Sequence, residues 1–216
     1  MNKIYSNNYP IINLYKKASS KSEIVTQMIY GERFEIIKKL RKWLKIKIKE
    51  DRYNGYIRKQ KFISYSKPTH KVSVLSAKIY KNTNSKNQIK NLPYGSKLKI
   101  LNKHPKFSRF QNHWIETKNI KPIKYKNKDI FKDIKIFKDV KYIWGGKTFK
   151  GIDCSALIQV CFNFNNKFCP RDSGQQVRFF RKNINLKNIK KNDIIYWKGH
   201  VAVALSNKKL IHAYGP

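Results

Sequence analysis

Acidic residues are scarce in this chain: 12 Asp and Glu stand against 49 Lys and Arg, which gives a formal net charge of +37. An excess of this size favours an anionic partner such as a nucleic acid or an acidic wall polymer. The lysines, however, are spread over the whole length together with many Ile and Asn, whereas a dedicated basic site would cluster. We therefore attribute most of the charge to an AT-rich coding bias. We expect no nucleic-acid partner and keep anionic wall polymers as candidates.

Cysteine and long hydrophobic runs are scarce as well. The three cysteines lie close together at 154, 161 and 169, and an odd number does not make a disulfide framework. The opening segment, MNKIYSNNYPIINLY, contains no apolar run of signal-peptide length, and no stretch elsewhere reaches the length of a membrane span. These absences predict a cytoplasmic protein without a membrane span, with export by another route as the alternative.

What the chain does have is enough apolar surface for folded domains. Of its 216 residues, 40% are hydrophobic and 13% aromatic, which argues against disorder and allows two or three small domains.

Over the first 125 residues, alternating segments such as RFEIIKKL and WLKIKIKE predict half-buried strands. An internal repeat runs through this part, because NLYKKASSKSEIVTQMIYGERFEIIKK resembles KIYKNTNSKNQIKNLPYGSKLKILNK. The repeat predicts two copies of one small β unit, over residues 1–65 and 66–125.

From residue 126 to residue 216 the pattern changes to a mixed one. The segment NKDIFKDIKIFKDV has helical apolar spacing, and a second helical pattern begins at Cys154 with Asp153 at a plausible N-cap. The stretches DIIYW, HVAVAL and KLIHAY then predict three short strands, the last two joined by a turn near Asn207. The third part is therefore predicted to be a helix followed by an antiparallel sheet.

Cys154 is the cysteine with a chemical role to explain. At a helix start its sulfur can face the positive end of the helix dipole, and a nearby histidine would also favour the thiolate. Cys161 lies on the apolar face of the same helix and is interpreted as a core residue. Cys169 precedes Pro170 in a loop, and we assign it no role.

Two histidines on the predicted sheet could serve that cysteine. With the turn near Asn207, His212 lies opposite Ala202 and becomes the diagonal neighbour of His200, at about 7–8 Å along the backbone. In a catalytic arrangement His200 takes the proton of Cys154, and His212 holds the far nitrogen of His200. Spacing alone leaves a purely structural role for both histidines open. A zinc site is disfavoured, because the chain contains no short ligand pair such as Cys-x-x-Cys.

Four stretches carry a family resemblance: YIWGGKTFKGIDCSALIQV, CPRDSGQQ, DIIYWKGHVAVAL and IHAYG, in this order. Together they resemble the NlpC-type peptidases, papain-like enzymes that cut bacterial wall peptides, and the two β repeats resemble bacterial SH3-like domains. The resemblance implies an α+β chain of two small SH3-like β-barrels followed by a papain-like domain, in which the helix bearing the cysteine packs on an antiparallel sheet. It implies that Cys154 is the nucleophile, His200 the base and His212 the third residue, with no metal and no cofactor.

Two SH3-like modules in front of such a domain resemble the γ-D-glutamyl-L-diamino acid endopeptidases of the dipeptidyl-peptidase VI type. The resemblance implies a cysteine endopeptidase that hydrolyses the bond between γ-D-glutamate and diaminopimelate or lysine. Its partners would be murein peptides with a free N-terminal L-Ala, met in cell-wall peptide recycling or turnover. The alternatives are a catalytically inactive cell-wall-binding protein, an acyltransferase using the same cysteine, and a nucleic-acid binder driven by charge.

The resemblance also implies substrate-binding residues around the nucleophile. Tyr142, in the Y-x-W-G-G motif, is expected near the oxyanion or the substrate. Asp153 and Ser155 flank Cys154 and would help bind the N-terminal amine of the substrate, with helix capping alone as the alternative for Asp153. The family usually has Gly where this chain has Ala156, a departure that adds one methyl group beside the cleft.

Further positions are implied on either side of this segment. Arg171 and Asp172 would line the cleft, where an arginine could pair with a substrate carboxylate. Glu32 and Tyr53 match barrel positions that close off the N-terminal end of the substrate. Ordinary structural roles in the barrel are the alternative for these two residues.

Overall fold

The computed structural model describes residues 3–83, 86–181 and 183–215. The chain divides into two compact units, Met1–Tyr125 and Lys126–Pro216. Within the described residues, no helix has the length and apolar character needed to cross a membrane.

The first repeat forms a seven-stranded antiparallel sheet with the order β3-β2-β6-β5-β4-β1-β7. Burial alternates along its strands, as in Trp43–Ile48, where every second side chain is buried. The buried side chains, among them Leu14, Phe34 and Ile46, form one hydrophobic core. The strands are β1 Ile4–Ser6, β2 Ile11–Tyr15, β3 Ile24–Ile29, β4 Arg33–Lys39, β5 Trp43–Ile48, β6 Asn54–Arg58 and β7 Ile63–Ser64.

The second repeat forms two smaller antiparallel sheets, with the orders β10-β9-β14-β13-β12 and β11-β8-β15. Val72, Leu92 and Ile115 are fully buried in its core. Its strands are β8 His70–Val72, β9 Ser76–Tyr80, β10 Gln88–Pro93, β11 Lys97–Leu98, β12 Asn102–Lys103, β13 Phe107–Phe110, β14 His113–Glu116 and β15 Ile120–Pro122, with a 3₁₀ turn at Thr117–Asn119 before the last.

The two repeats are joined through the turn after β3. The ring of Tyr30 belongs to the core of the second repeat, where it meets Phe110 edge to face at 5.9 Å between ring centroids. The backbone N–H of Lys97 donates to the Tyr30 carbonyl at 3.0 Å. Burial by itself would raise the pKa of Glu50, but the positive charges of Lys97 and Arg33 have the larger effect and lower it. The Glu50 carboxylate forms an ion pair with each of these two side chains. The two repeats therefore pack as one unit.

Among its described residues, the second unit has two α-helices, α1 Cys154–Phe164 and α2 Ser173–Phe180. It also has a three-stranded antiparallel sheet with the order β18-β19-β20 and a two-stranded sheet of β16 and β17. Helix α1 packs on β19, which is the papain-like arrangement expected from the sequence. The strands are β16 Lys147–Thr148, β17 Gly151–Ile152, β18 Ile194–Trp197, β19 His200–Ala204 and β20 Leu210–Ile211, with 3₁₀ turns at Ile134–Phe137 and Leu186–Asn188.

Two local expectations for this unit were wrong or incomplete. The helical pattern after residue 126 gives only the 3₁₀ turn Ile134–Phe137. The carboxylate of Asp129 accepts the backbone N–H of Phe131 at 2.9 Å, an Asx turn that competes with a helix, although Phe131, Ile134 and Phe137 are buried as the pattern predicts. Helix α2 was not predicted, because the segment CPRDSGQQ shows no clear apolar period.

The turn between the repeats gives a stability prediction. Gly31 and Gly95 hold equivalent positions, and both have φ +80°, so an alanine is strained at either site. At Gly31 a Cβ would also overlap the carbonyl oxygen of Lys97, whereas at Gly95 the nearest atom, Cδ1 of Ile29, is 3.7 Å away. We expect Gly95→Ala to lower the free energy of unfolding by about 1 kcal/mol. Gly31→Ala should lower it by about 2 kcal/mol more, because the two repeats must separate.

Urea unfolding of the whole chain, followed by tryptophan fluorescence, measures both variants against the wild type. Equal losses for the two alanines would show that the Gly31–Lys97 approach does not hold the repeats together.

Candidate active site

Helix α1 begins at Cys154 because Asp153 caps it, as the sequence predicted. The backbone of Asp153 is extended, and its side chain accepts the N–H of Ala156 at 2.8 Å, as N-cap residues do. Cys154 is therefore the first helical residue, and it is buried with 5% of its surface exposed. Cys161 is buried in the helix interior, as expected for a core residue.

The two sheet histidines meet through their rings. Strands β19 and β20 pair Val203 with Ile211, so the next pair along the register sets Ala202 opposite His212, as predicted. Nε2 of His200 lies 2.9 Å from Nδ1 of His212, a hydrogen-bond distance. The diagonal placement inferred from the turn is confirmed.

Helix α1 brings the cysteine to the same strand. The backbone N–H of Val201, the residue after His200, bonds the sulfur of Cys154 in a way that favours the thiolate. The N–H groups of Cys154 and Ser155 act in the same direction. The sulfur of Cys154 therefore lies near the start of β19, at the residue that follows His200.

The bond between the histidines is compatible with a tautomer of His200 that can act as a base. Only one of two neutral imidazoles can donate between Nε2 of His200 and Nδ1 of His212. When His200 donates from Nε2, its Nδ1 carries the lone pair that can accept a proton from Cys154. His212 then acts as an acceptor with no formal charge.

Protonation at rest differs from the expectation of a thiolate. Burial raises the pKa of the Cys154 thiol, the carboxylate of Asp153 raises it further, and the three backbone N–H groups do not compensate. Burial also lowers the pKa of His200, and His212 adds to this. Both directions favour a neutral thiol and a neutral imidazole at rest, because burial disfavours the charged form of each group.

Tyr142 lies close enough to Cys154 and Asp153 to interact with them electrostatically, and its expected place near the oxyanion or the substrate stays a prediction. Burial raises the pKa of its hydroxyl, followed by the negative charges of Cys154 and Asp153, while Arg171 acts in the opposite direction. Its backbone bridges Ile152. Gly215 passes close to the ring, since a Cβ there would lie 2.6 Å from Cδ1 of Tyr142.

A buried ion pair lies behind the helix start. Arg171 has 1% of its surface exposed, and both terminal nitrogens of its guanidinium donate to the carboxylate of Asp153. Nη1 also donates to Oγ of Ser155 at 3.0 Å, and Nη2 to the carbonyl of Gly146 at 3.4 Å. A substrate carboxylate would have to compete with these bonds inside the protein. The expectation that Arg171 pairs with substrate is therefore corrected: Arg171 positions Asp153 and Ser155.

The surroundings of Asp153 and Ser155 bear on their expected role. The carboxylate of Asp153 accepts from five donors: the N–H of Gly145, the N–H of Ala156, Oγ of Ser155 and two nitrogens of Arg171. This coordination accounts for both residues as capping and positioning groups, the alternative to amine binding. Binding of a substrate amine by Asp153 and Ser155 stays a prediction. Asp172 holds the N-cap position of α2 without a capping bond from its side chain.

Glu32 and Tyr53 lie in the first unit. The carboxylate of Glu32 is buried and accepts the backbone N–H of Ile29 at 2.8 Å, which stabilises the turn before β4. Tyr53 is half-buried, and its backbone N–H donates to Asp51 at 3.0 Å. These contacts give both residues structural roles, and their contact with substrate stays a prediction.

Sequence reasoning missed two residues next to the site. The buried side chain of Gln176, on α2, donates to the carbonyls of Ser155 and Pro170 at 2.9 Å each, so it ties α2 to the start of α1. The ring of Trp197 lies against His200. Both residues stand in the stretches that carry the family resemblance, but neither belongs to a nucleophile–base pattern.

Two family models match the chain. The model described as the NlpC/P60 family matches residues 139–215, and the model described as the bacterial dipeptidyl-peptidase Sh3 domain matches residues 14–62. The first match contains Cys154, His200 and His212.

Curated relatives match at low identity over most of the chain and at higher identity over about a third of it. A γ-D-glutamyl-L-lysine dipeptidyl-peptidase of Bacillus subtilis is 24% identical over 88% of this chain and 72% of its own length. Dipeptidyl-peptidase 6 of Lysinibacillus sphaericus is 36% identical over a segment that covers 33% of this chain and 27% of that relative. Among solved structures, an NlpC/P60 family protein from Bacillus cereus superposes with a TM-score of 0.83 at 19% identity, covering 97% of this chain and 90% of that one. That superposition shows the shared fold.

The burial of the Arg171–Asp153 ion pair predicts that Arg171 contributes far more to stability than an arginine at the surface does. Arg171→Leu leaves the Asp153 carboxylate buried without its cation, so we expect a loss of about 3–5 kcal/mol in the free energy of unfolding. Arg178→Leu is the matched control, since Arg178 is exposed on α2, and it should change stability by no more than about 0.5 kcal/mol. Urea unfolding measures both variants. A small loss for Arg171→Leu would mean that Asp153 holds the helix start without Arg171.

Proposed function

We propose that this chain, whose residues 139–215 belong to the NlpC/P60 family, is a cysteine endopeptidase that hydrolyses the γ-D-glutamyl-L-diamino acid bond of murein peptides with a free N-terminal L-Ala. The observation that carries the proposal is that Cys154 starts α1 and its sulfur bonds the N–H of Val201, the residue after His200. The ring of His200 is in turn at hydrogen-bond distance from His212, which follows β20. A nucleophile, a base and a group that orients the base are the parts that acyl transfer needs.

Acylation follows from this arrangement. As the sulfur of Cys154 forms a bond to the amide carbon, Nδ1 of His200 takes the thiol proton, and the carbonyl oxygen becomes an oxyanion. Backbone N–H groups at the start of α1 face the sulfur and can stabilise that charge. When the C–N bond breaks, His200 passes the proton to the leaving amine, and a thioester remains on Cys154.

Deacylation uses the same base. His200 takes a proton from water while the water oxygen bonds to the thioester carbon. The C–S bond then breaks, and the proton returns from His200 to the sulfur. Throughout the cycle Nε2–H of His200 donates to His212, so the imidazolium keeps its orientation.

Neutral resting groups suit this scheme. A neutral imidazole can accept the proton at once, and a neutral thiol loses it only as the bond to carbon forms. Burial is the main cause of both protonation states, so the same loss of water that raises the thiol pKa also keeps the base unprotonated.

The substrate class is supported by three sets of observations. The Bacillus subtilis relative is named a γ-D-glutamyl-L-lysine dipeptidyl-peptidase, and the first unit matches a dipeptidyl-peptidase Sh3 domain. Tyr142 is half-buried near Cys154 and offers a hydroxyl to a polar peptide. We propose lysine and diaminopimelate as the two diamino acids to compare, in the turnover of wall peptides.

The central prediction is that Cys154→Ala lowers kcat/KM for this hydrolysis about a thousandfold or more, because the nucleophile is lost. Mass spectrometry of L-Ala-γ-D-Glu-diaminopimelate, of the lysine form, and of an N-acetylated copy of each measures the release of L-Ala-D-Glu. The matched control is Cys161→Ala, a buried cysteine on the same helix, which should stay within about threefold of the wild type.

Each outcome of that assay has a definite meaning. Cleavage of the free-amine peptides alone supports the proposal in full, and equal cleavage of the acetylated copies removes the requirement for a free amine. A product carrying an added amine would identify an acyltransferase. Binding to intact sacculi with no turnover of any peptide would identify a wall-binding protein.

The pH dependence follows from the lowered pKa of His200. His200 must be neutral to act as a base, and its lowered pKa means that it loses its proton at a lower pH than an ordinary histidine. We expect the acid limb of kcat/KM to have its midpoint below 6.5, the ordinary value. Initial rates measured across the acid range at substrate concentrations well below KM test this. A midpoint at or above that value would contradict a dehydrated, neutral base.

A further inference from the structure

Three neighbouring strands of the first repeat, β2, β6 and β5, carry aromatic and cationic side chains on one face. Leu14, Leu44 and Ile57 point into the core, so the residues that alternate with them lie on the opposite face of the sheet. Three aromatic residues and three cations on that face form what we call the aromatic–cation face: Tyr15, Trp43, Tyr56, Lys45, Lys47 and Arg58. These three strands contain no Asp or Glu, so the face is basic without an acidic neighbour on its own strands.

The strand register places these rings and cations beside one another. Tyr56, on the central strand β6, pairs with Lys45 on one side and with Tyr15 on the other. Trp43 pairs with Arg58 across β5 and β6. The rings of Tyr15 and Trp43 meet edge to face, with 5.4 Å between their centroids. The side chains of these three strands therefore form one continuous surface.

Two of the cations lie over aromatic rings. The guanidinium carbon of Arg58 is 5.3 Å from the centre of the Trp43 ring, and Nζ of Lys45 is 5.9 Å from the centre of the Tyr56 ring. A guanidinium stacked on a ring uses its plane in that contact and keeps its N–H donors for an anion. The rings therefore hold both cations in place before a ligand arrives.

The composition of this surface indicates the chemistry of its partner. A second copy of the chain is unsuited to it, because each copy has a net charge of +37. An anionic polymer without planar rings would use the cations and leave the aromatic residues without a role. A single-stranded nucleic acid uses both, since its phosphates bind Lys and Arg and its bases stack on aromatic rings and on guanidinium planes.

We propose that the aromatic–cation face of the first repeat binds single-stranded nucleic acid, with phosphates on Lys45, Lys47 and Arg58 and bases stacked on Trp43 and Tyr56. This proposal reverses the expectation drawn from the even spread of lysines along the sequence. The cations come from two strands and the rings from three, so the cluster exists only in the folded sheet. All of these residues belong to the first unit, so the inference does not rest on the proposed function.

The test compares two strands that differ only in their bases. Fluorescence anisotropy of the whole chain follows binding of a labelled oligothymidylate of about 12 nucleotides, within the usual site size of such surfaces. An abasic oligonucleotide of the same length has the same phosphates and no rings to stack. We expect the oligothymidylate to bind at least about fivefold more tightly, the effect of stacking one base.

Variants separate stacking from charge. Trp43→Ala should weaken binding of the oligothymidylate about five- to tenfold and leave the abasic strand unchanged, whereas Trp43→Phe should keep most of the affinity. Lys47→Gln should weaken binding of both strands and make the slope of log K against log salt shallower by about 0.7, the loss of one phosphate contact. Trp114→Ala is the matched control, because this half-buried indole lies against His104 in the second repeat. It should leave both affinities unchanged.

Each result either supports the proposal or overturns it. Equal affinity for the two strands in the wild type overturns it, since the face would then recognise charge alone, as binding of an acidic wall polymer would require. Absence of saturable binding at physiological salt also overturns it, and so does an equal loss in Trp43→Ala and Trp114→Ala. Circular dichroism checks that each variant is folded, and if Trp43→Ala is not, the two strands compared in the wild type and in Lys47→Gln decide. Because no peptide is cleaved in this assay, its failure is distinct from failure of the proposed function.

Discussion

The carboxylate of Asp153 is the group on which the second unit depends. It caps α1, receives the guanidinium of Arg171 and bonds the backbone of Gly145, so one buried charge joins three separate segments of the chain. Removing a carboxylate from water costs several kcal/mol, and only a set of well-directed donors offsets that cost. The donors to Asp153 come from segments before and after Cys154 in the sequence. The hydrogen bonds that offset the burial of the Asp153 carboxylate therefore also fix the position of Cys154.

The same carboxylate has an electrostatic cost for the chemistry. Lying beside Cys154, it opposes formation of the thiolate, and burial acts in the same direction. The backbone N–H groups at the helix start lower the pKa of Cys154, but their effect is smaller than the combined effect of burial and Asp153. These directions suit a proton transfer that accompanies bond formation, as in the proposed mechanism, where His200 is the base and His212 orients it.

Much of the site could be predicted because its signals are local. A capping Asp followed by a helical apolar period places Cys154 at a helix start, and two strands around a short turn set the register between His200 and His212. The helix expected after residue 126 failed for an equally local reason, since Asp129 bonds the backbone of Phe131. The role of Arg171 could not be predicted, because pairing with Asp153 depends on a contact across 18 positions of sequence.

The sequence by itself therefore determined the β repeats, the helix that carries Cys154 and the face of the sheet that carries both histidines. Each of these follows from side-chain periodicity and turn chemistry within a short window. Only the tertiary structure decided the raised pKa of Cys154, the burial of Arg171 and the contact of Trp197 with His200. These features depend on how much water remains once distant segments pack together, and no local pattern in a chain records that quantity.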